Sequence, residues 1–258
     1  MRRPHRAVLA VAAALTTAAC AGAAATPAPR TPAPAPTSAA APPPVVLLDP
    51  GHNGRNAAEP AAIRRLVPDG RGGEKACNTT GTATDAGYPE HAFAFDVAQR
   101  VAARLEAAGV RVVLTRTDDD GVGPCVDERG RAGEEAGAAA AVSIHADGAA
   151  PTASGFHVAY ADPPLNPAQA GPAVELATAL RDALRAGGFR DSDYIGRDGL
   201  SPRADLAGLN HATRPTVLVE CANMRNPDEA AVVSSASGRD RYAAAIAAGV
   251  LGFLEREP

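Results

Sequence analysis

The 258-residue chain has no tryptophan, an aromatic content of 3% and a single lysine, Lys75. A core built from it must therefore be aliphatic, and it offers little π-surface for stacking bases or sugars. It has no excess of positive charge: 25 Lys and Arg stand against 29 Asp and Glu, a net charge of −4. That excludes a strongly basic nucleic-acid binder, because the electrostatic footprint for phosphates is missing. It equally excludes a long acidic disordered segment. There is no internal repeat, and its four cysteines lack zinc-ribbon spacing. What is present is ordinary for a globular domain: 46% hydrophobic residues, much of it alanine.

The first residues read as a targeting segment rather than as fold. Arg2, Arg3 and Arg6 form a positive region, and the apolar run Val8 to Leu15 is too short to span a bilayer. Residues 1–20 are expected to be an export signal. Cys20 follows Ala18-Ala19 and resembles the cysteine of a bacterial lipobox, which is lipidated after cleavage; Thr17 stands where Leu is usual. The alternative is ordinary cleavage within Ala19 to Ala25. Residues 21–43 are Ala, Pro and Thr with no apolar period, a spacer that cannot bury a core. The folded part is expected over residues 44–258 as one domain. An exported chain can keep a disulfide. Cys77 and Cys125 both lie in Gly- and Pro-containing loop sequence and are the natural pair, whereas Cys221 follows an apolar strand and reads as a buried thiol.

Within the folded part, apolar runs at 45–49, 110–115, 141–145, 155–160 and 216–220 read as strands. A helix is expected from Pro89-Glu90, with Phe93, Val97, Val101 and Leu105 on one face and Gly109 ending it. Further helices are expected at 125–136, 174–184 and 242–254. Between Gly54 and Tyr88 lies a long polar, Gly-rich stretch, of the kind that is functional or disordered. Alternating strands and helices imply an α/β domain with a mostly parallel sheet.

Three apolar strands end in ionisable groups: Asp49 followed by His52, His145 followed by Asp147, and Glu220. Sites in open α/β sheets form beyond the carboxyl ends of strands, so these groups can share one edge. Two imidazoles and a carboxylate suit zinc, whose catalytic sites keep three protein ligands. His52 and His145 supply two. The third is Glu90 or its neighbour His91; spacing alone leaves both open. Asp49 and Asp147 are candidates for orienting the ligand rings. His157 and His211 read as core or surface residues. Arg64, Arg65 and Arg71, with Glu74 nearby, lie on a loop where arginines could meet substrate carboxylates or simply be solvated. Asn78-Thr79-Thr80 matches a glycosylation sequon that a bacterial-type signal makes coincidental.

Val-Leu-Leu-Asp-Pro-Gly-His-Asn-Gly (46–54), Tyr-Pro-Glu-His (88–91), Ser-Ile-His-Ala-Asp (143–147) and Val-Leu-Val-Glu (217–220), with Asn223 and Asn226 beyond, resemble the zinc-dependent N-acetylmuramoyl-L-alanine amidases of the Amidase_3 family. The match runs in order through most of residues 45–254. It is most similar to the mycobacterial-type enzymes, which share Pro-Asp-Gly-Arg-Gly-Gly (68–73), the Cys77/Cys125 pair and Ser-Gly-Phe-His-Val (154–158). The resemblance implies a single α/β domain whose twisted, mostly parallel sheet of about six strands is flanked by helices. It also implies one zinc on His52, Glu90 and His145, and Glu220 as the catalytic carboxylate. The implied substrate is peptidoglycan or its muropeptides, cut between the muramic acid lactyl group and L-alanine by an exported, monomeric enzyme, either lipid-anchored or secreted, in wall remodelling or daughter-cell separation. Where the family usually has Gly near the catalytic Glu, this chain has Cys221-Ala222. The rival readings are a zinc carboxypeptidase acting within the stem peptide and a non-catalytic peptidoglycan-binding module.

Overall fold

The computed structural model describes residues 12–15, 22 and 42–256. The expected signal and spacer fall almost wholly outside these, as does Cys20. From Pro42 onward the chain forms one compact unit. In order it contains β1 (Val45–Pro50), α1 (Pro60–Ile63), β2 (Leu66–Pro68), β3 (Glu74–Ala76), α2 (Glu90–Ala107), β4 (Arg111–Leu114), α3 (Val126–Glu135), β5 (Ala140–Asp147), β6 (His157–Ala161), α4 (Pro167–Ala170), α5 (Pro172–Ala186), β7 (Leu200–Arg203), α6 (Ala207–Asn210), β8 (Thr216–Asn223), α7 (Pro227–Ser234) and α8 (Ala236–Leu254).

Six strands form the main sheet in the order β4-β1-β5-β8-β6-β7. The first four are mutually parallel; β6 runs antiparallel to β8, and β7 parallel to β6. The expected α/β class and mostly parallel sheet therefore hold. The chain leaves β1, returns as β4 on one side and then enters β5 on the other, so a crevice opens where the carboxyl ends of β1 and β5 diverge. The core is aliphatic. Val46, Leu48, Val142, Ile144, Val217 and Val219 expose no surface, and Phe93, Val97, Val101, Leu176, Leu180, Ile246 and Val250 complete the layer from α2, α5 and α8. Each fully buried aliphatic side chain contributes about 1.5–3 kcal/mol relative to exposure.

The helix expected after Pro89 begins there: Pro89 is its N-cap, Glu90 lies in its first turn, and Gly109 follows its end at φ 82°. Four features depart from the sequence reading. The long polar stretch is not structureless, because it holds α1 and the β2–β3 hairpin. The edge strand β7 and the short helices α4, α6 and α7 are additional. The last helix starts at Ala236, its first turn capped by Ser235, rather than at 242. The fourth expected strand begins at His157, not Gly155, because Gly155 sits at φ 101° and leaves no room for a Cβ against the Asp191 backbone.

Cys77 and Cys125 are disulfide-bonded, as expected, and Cys221 is a buried free thiol. The bond fastens the segment after β3 to the start of α3, and the Val126 N–H donates to the Cys77 carbonyl at 2.8 Å.

Candidate metal centre

His52, Glu90 and His145 converge at the carboxyl edge of β1 and β5. Their ligand atoms lie within 4.8 Å of one another. One carboxylate oxygen, Glu90 Oε1, is 3.0 Å from His52 Nε2 and 2.8 Å from His145 Nδ1. A tetrahedral ion with bonds near 2.0–2.2 Å needs donors ~3.3 Å apart, so these two contacts lie within a few tenths of an ångström of the spacing in a zinc shell. Glu90 resolves the choice left open by spacing. His91 points away, its Nδ1 against Asp119 Oδ2 at 2.6 Å, because adjacent helix positions face different directions.

Backbone groups orient the ligands. His52 Nδ1–H donates to the Thr79 carbonyl at 3.1 Å, so that the neutral ring would offer Nε2 as the metal donor on the side of Glu90. The same carbonyl accepts from Asn56 Nδ2 at 2.7 Å. Glu90 Oε2 accepts from the Thr82 N–H at 2.9 Å, and the Glu90 N–H donates back to Thr82 O. Burial opposes ionisation of Glu90, but the two imidazoles outweigh it, His52 first, and hold its carboxyl far below the usual range. His52 is correspondingly raised: burial works against protonation and Glu90 overcomes it.

Two glycines make the space. A Cβ on Gly51 would lie 2.3 Å from the His145 ring, and one on Gly81 would lie 2.7 Å from Glu90 Oε2. Gly81 also needs its φ of 73°. His52 itself sits at φ 56°, a left-handed conformation that costs a non-glycine residue about 1–2 kcal/mol. The donor set, its burial and the glycine-lined cradle fit a zinc ion.

Glu220 faces this group without joining it. On parallel neighbours, Glu220 stands in register with His145, and across the antiparallel pair it stands opposite His157. Its Oε2 is inaccessible and has no hydrogen-bond partner. Burial, then the charges of Glu90 and Asp147, push its carboxyl well above the ordinary value, against Arg203. A carboxylate poised in this way can take up a proton. A cleft of about 450 Å³ runs from these groups along the sheet between α3 and α6.

Neither Asp49 nor Asp147 hydrogen-bonds a ligand ring. Asp49 accepts from Thr115, Ser143 and Arg129, each at 2.6 Å. Asp147 accepts from Tyr194 Oη at 3.2 Å and from Gly148 N–H. His157 is buried, and His211 places Nε2 3.0 Å from Pro68 O. Of the loop arginines, Arg65 donates to Cys125 Sγ and Arg71 to Asn210, while Arg64 and Glu74 are exposed. Asn78 of the sequon is buried, and Asn223 and Asn226 brace the 149–153 loop. Cys221 and Ala222 pack into the core behind Glu220. Sequence reading missed Thr79 and Thr82, which act through backbone atoms that carry no residue signature.

A model of the family described as N-acetylmuramoyl-L-alanine amidase matches residues 46–251. An N-acetylmuramoyl-L-alanine amidase of Mycobacterium tuberculosis is 51% identical over 210 residues, 81% of this chain and 86% of the relative. The crystal structure of the amidase Ami1 from Mycobacterium smegmatis superposes with a TM-score of 0.81 at 53% identity, covering 83% of this chain and 98% of that one. Ami1 from Mycobacterium abscessus gives 0.79 at 46% identity, with 82% and 98% covered.

Proposed function

The chain belongs to the Amidase_3 family of N-acetylmuramoyl-L-alanine amidases, and from that premise we propose how its residues divide the work of hydrolysis. The enzyme is a peptidoglycan hydrolase that cuts the amide between the muramic acid lactyl group and the L-alanine of the stem peptide. His52 Nε2, Glu90 Oε1 and His145 Nδ1 would hold one zinc ion. When bound there, zinc supplies acidity to a water and polarisation to the scissile carbonyl.

The remaining steps belong to the chain. Glu220 takes the proton of the attacking water on its carboxylate and returns it to the nitrogen of the departing L-alanine. Its raised proton affinity suits both halves of that transfer. Thr79 and Thr82 keep the ligand side chains from turning. The apolar length of the cleft lowers the local dielectric and so strengthens each of these charges. The observation that carries the reading is the convergence of two imidazole nitrogens and one carboxylate oxygen beside a second, unpartnered carboxylate.

Metal analysis tests it. The purified protein should contain one zinc per chain, and the double variant His52→Ala, His145→Ala should contain none; undiminished zinc in that variant overturns the assignment.

No helix among the described residues is long and apolar enough to cross a membrane. The reading further places the enzyme outside the cytoplasmic membrane as a monomer, either tethered through lipid on Cys20 or released by cleavage within Ala19 to Ala25. Intact-mass measurement of the mature protein distinguishes the two.

A further inference from the structure

Three consecutive carbonyls leave the end of β1, and each ends on a buried guanidinium. Arg129, in the first turn of α3, donates to Pro50 O at 2.7 Å and to His52 O at 2.9 Å. Arg116, just past β4, donates to Pro50 O at 3.0 Å and Gly51 O at 3.1 Å. Further donors of both forks are engaged as well. Arg129 holds Asp49 Oδ1 at 2.6 Å and Pro124 O at 2.9 Å. Arg116 holds Asp118 O, Asp119 Oδ1 and His91 O. Arg116 has every donor engaged and Arg129 four of its five, so most of their hydrogen bonding is spent on the loop and its surroundings.

That loop needs an external hold. Only at His52 does a metal-facing residue adopt the left-handed backbone, with φ 56°, a conformation uncommon for any residue other than glycine even though histidine tolerates it better than most. The direction in which its Cβ leaves the backbone follows from that angle. If the backbone relaxed, Nε2 would swing off the point it shares with Glu90 Oε1. Thr79 fixes the rotation of the ring and cannot restrain the backbone. Arg129 can, because it grips the His52 carbonyl itself. Its counter-charge, Asp49, is in turn fastened to Ser143 on β5, so the grip is anchored to the strand that carries His145.

We infer that Arg129 is the positioning residue for His52: by holding the His52 carbonyl it keeps the strained backbone that aims Nε2 at the metal centre, so metal affinity depends on it. The inference rests on the proposed metal reading. It also requires the fork. A lysine is a point donor that could meet one of these carbonyls but could not span Pro50, His52 and Asp49 together.

The test compares wild type, Arg129→Gln, Arg129→Lys and Arg214→Gln. Arg214 is a half-buried arginine that pairs with Glu134 of α3, the helix that carries Arg129, and serves as the control. Zinc affinity is measured by chelator competition on folded protein, and the visible d–d spectrum is recorded after cobalt substitution. Arg129→Gln should weaken zinc ~10–100-fold, the range for lost outer partners of a metal ligand, and should alter the cobalt bands. Arg129→Lys should fall between that variant and wild type, and Arg214→Gln should match wild type. A purely structural Arg129 would lower the melting temperature and leave affinity and cobalt spectrum unchanged, and that result overturns the inference. If the Gln variant does not fold, the Lys variant decides on the same two readouts. Failure of wild type to bind either metal would instead overturn the metal reading, and with it the inference.

Discussion

The two faces of the central sheet are made by the same strands and differ in almost every physical respect. Val46, Leu48, Val142, Ile144, Val217 and Val219 point one way and are sealed by α2, α5 and α8. One position along each strand, Leu47, Asp49, Ala141, Ser143, His145, Thr216, Leu218 and Glu220 point the other way. Among the described residues, α3, the short α6 and the hairpin line that second face, which keeps a cleft. The pleat, with its period of two, lets one strand serve both purposes. Stability is concentrated on the first face and chemistry on the second, so the two should be separable by mutation except where covalent or buried ionic ties cross between elements.

The strongest tie should break the separation. Replacing Cys77 and Cys125 by Ser opens a link between residues 48 apart, worth about 4 kcal/mol in the chain-entropy model. Thermal melts should show that loss. Zinc retention should fall too, because Thr79 lies just beyond Cys77, and α3, whose N-cap is Cys125, carries Arg129. Removing the core-face thiol, Cys221→Ala, should leave zinc untouched. A double variant that binds zinc as tightly as wild type would show that the clamp does not reach the site.

A core-face truncation sharpens the comparison from the other side. Leu48→Ala should cost about 3 kcal/mol in denaturant unfolding. Its kcat/KM per folded molecule should stay close to wild type, and a larger fall would mean that the faces are mechanically coupled.

Two buried groups on the site face give it an acid sensitivity that the aliphatic face cannot have. Burial pushes His157 down to about 4, against Asp147, from an ordinary 6.5. The unfolded chain therefore takes the proton first. Stability present above pH 6.5 is lost as pH falls toward 4, by about 3 kcal/mol. Urea unfolding at stepped pH should show this slope, and His157→Gln should flatten it. Asp49 acts lower. Burial opposes its ionisation, but Arg129, Ser143 and Thr115 hold it at about 2 against an ordinary 3.8. Its share, about 2 kcal/mol, is present above pH 3.8 and lost as pH falls through 2. Asp49→Asn should be less stable at neutral pH and should lack that final acid step.

The same contrast explains what could be read from the sequence. Strands β1, β5 and β8 were legible because continuous apolar runs ended abruptly in Asp49, His145 and Glu220. Both histidines and Glu220 were visible as strand-end groups. Glu90 was not separable from His91 by spacing, because both sit at a helix start and only the turn of the helix decides which one faces β5. The edge strand β7 was hidden: Leu200-Ser-Pro-Arg is short, lacks alternation and contains a proline. The first turns of α8, Ser237-Gly-Arg-Asp-Arg, are polar and show no stripe. Arg129 was invisible for a related reason, since α3 has no apolar period against which a buried arginine would stand out. Patterning reports packing, whereas the carbonyls of residues 50–52 and 79 act through backbone atoms.

The most direct measurement pairs wild type with Glu220→Gln on purified peptidoglycan, following zinc content and the appearance of free L-alanine amino termini in the products. The variant should fold and keep one zinc, while release of L-alanine termini falls ~10²–10⁴-fold, because the amide cannot accept the proton of the attacking water. Near-normal release would remove Glu220 as the base, and loss of zinc would make it a ligand and put Glu90 in doubt.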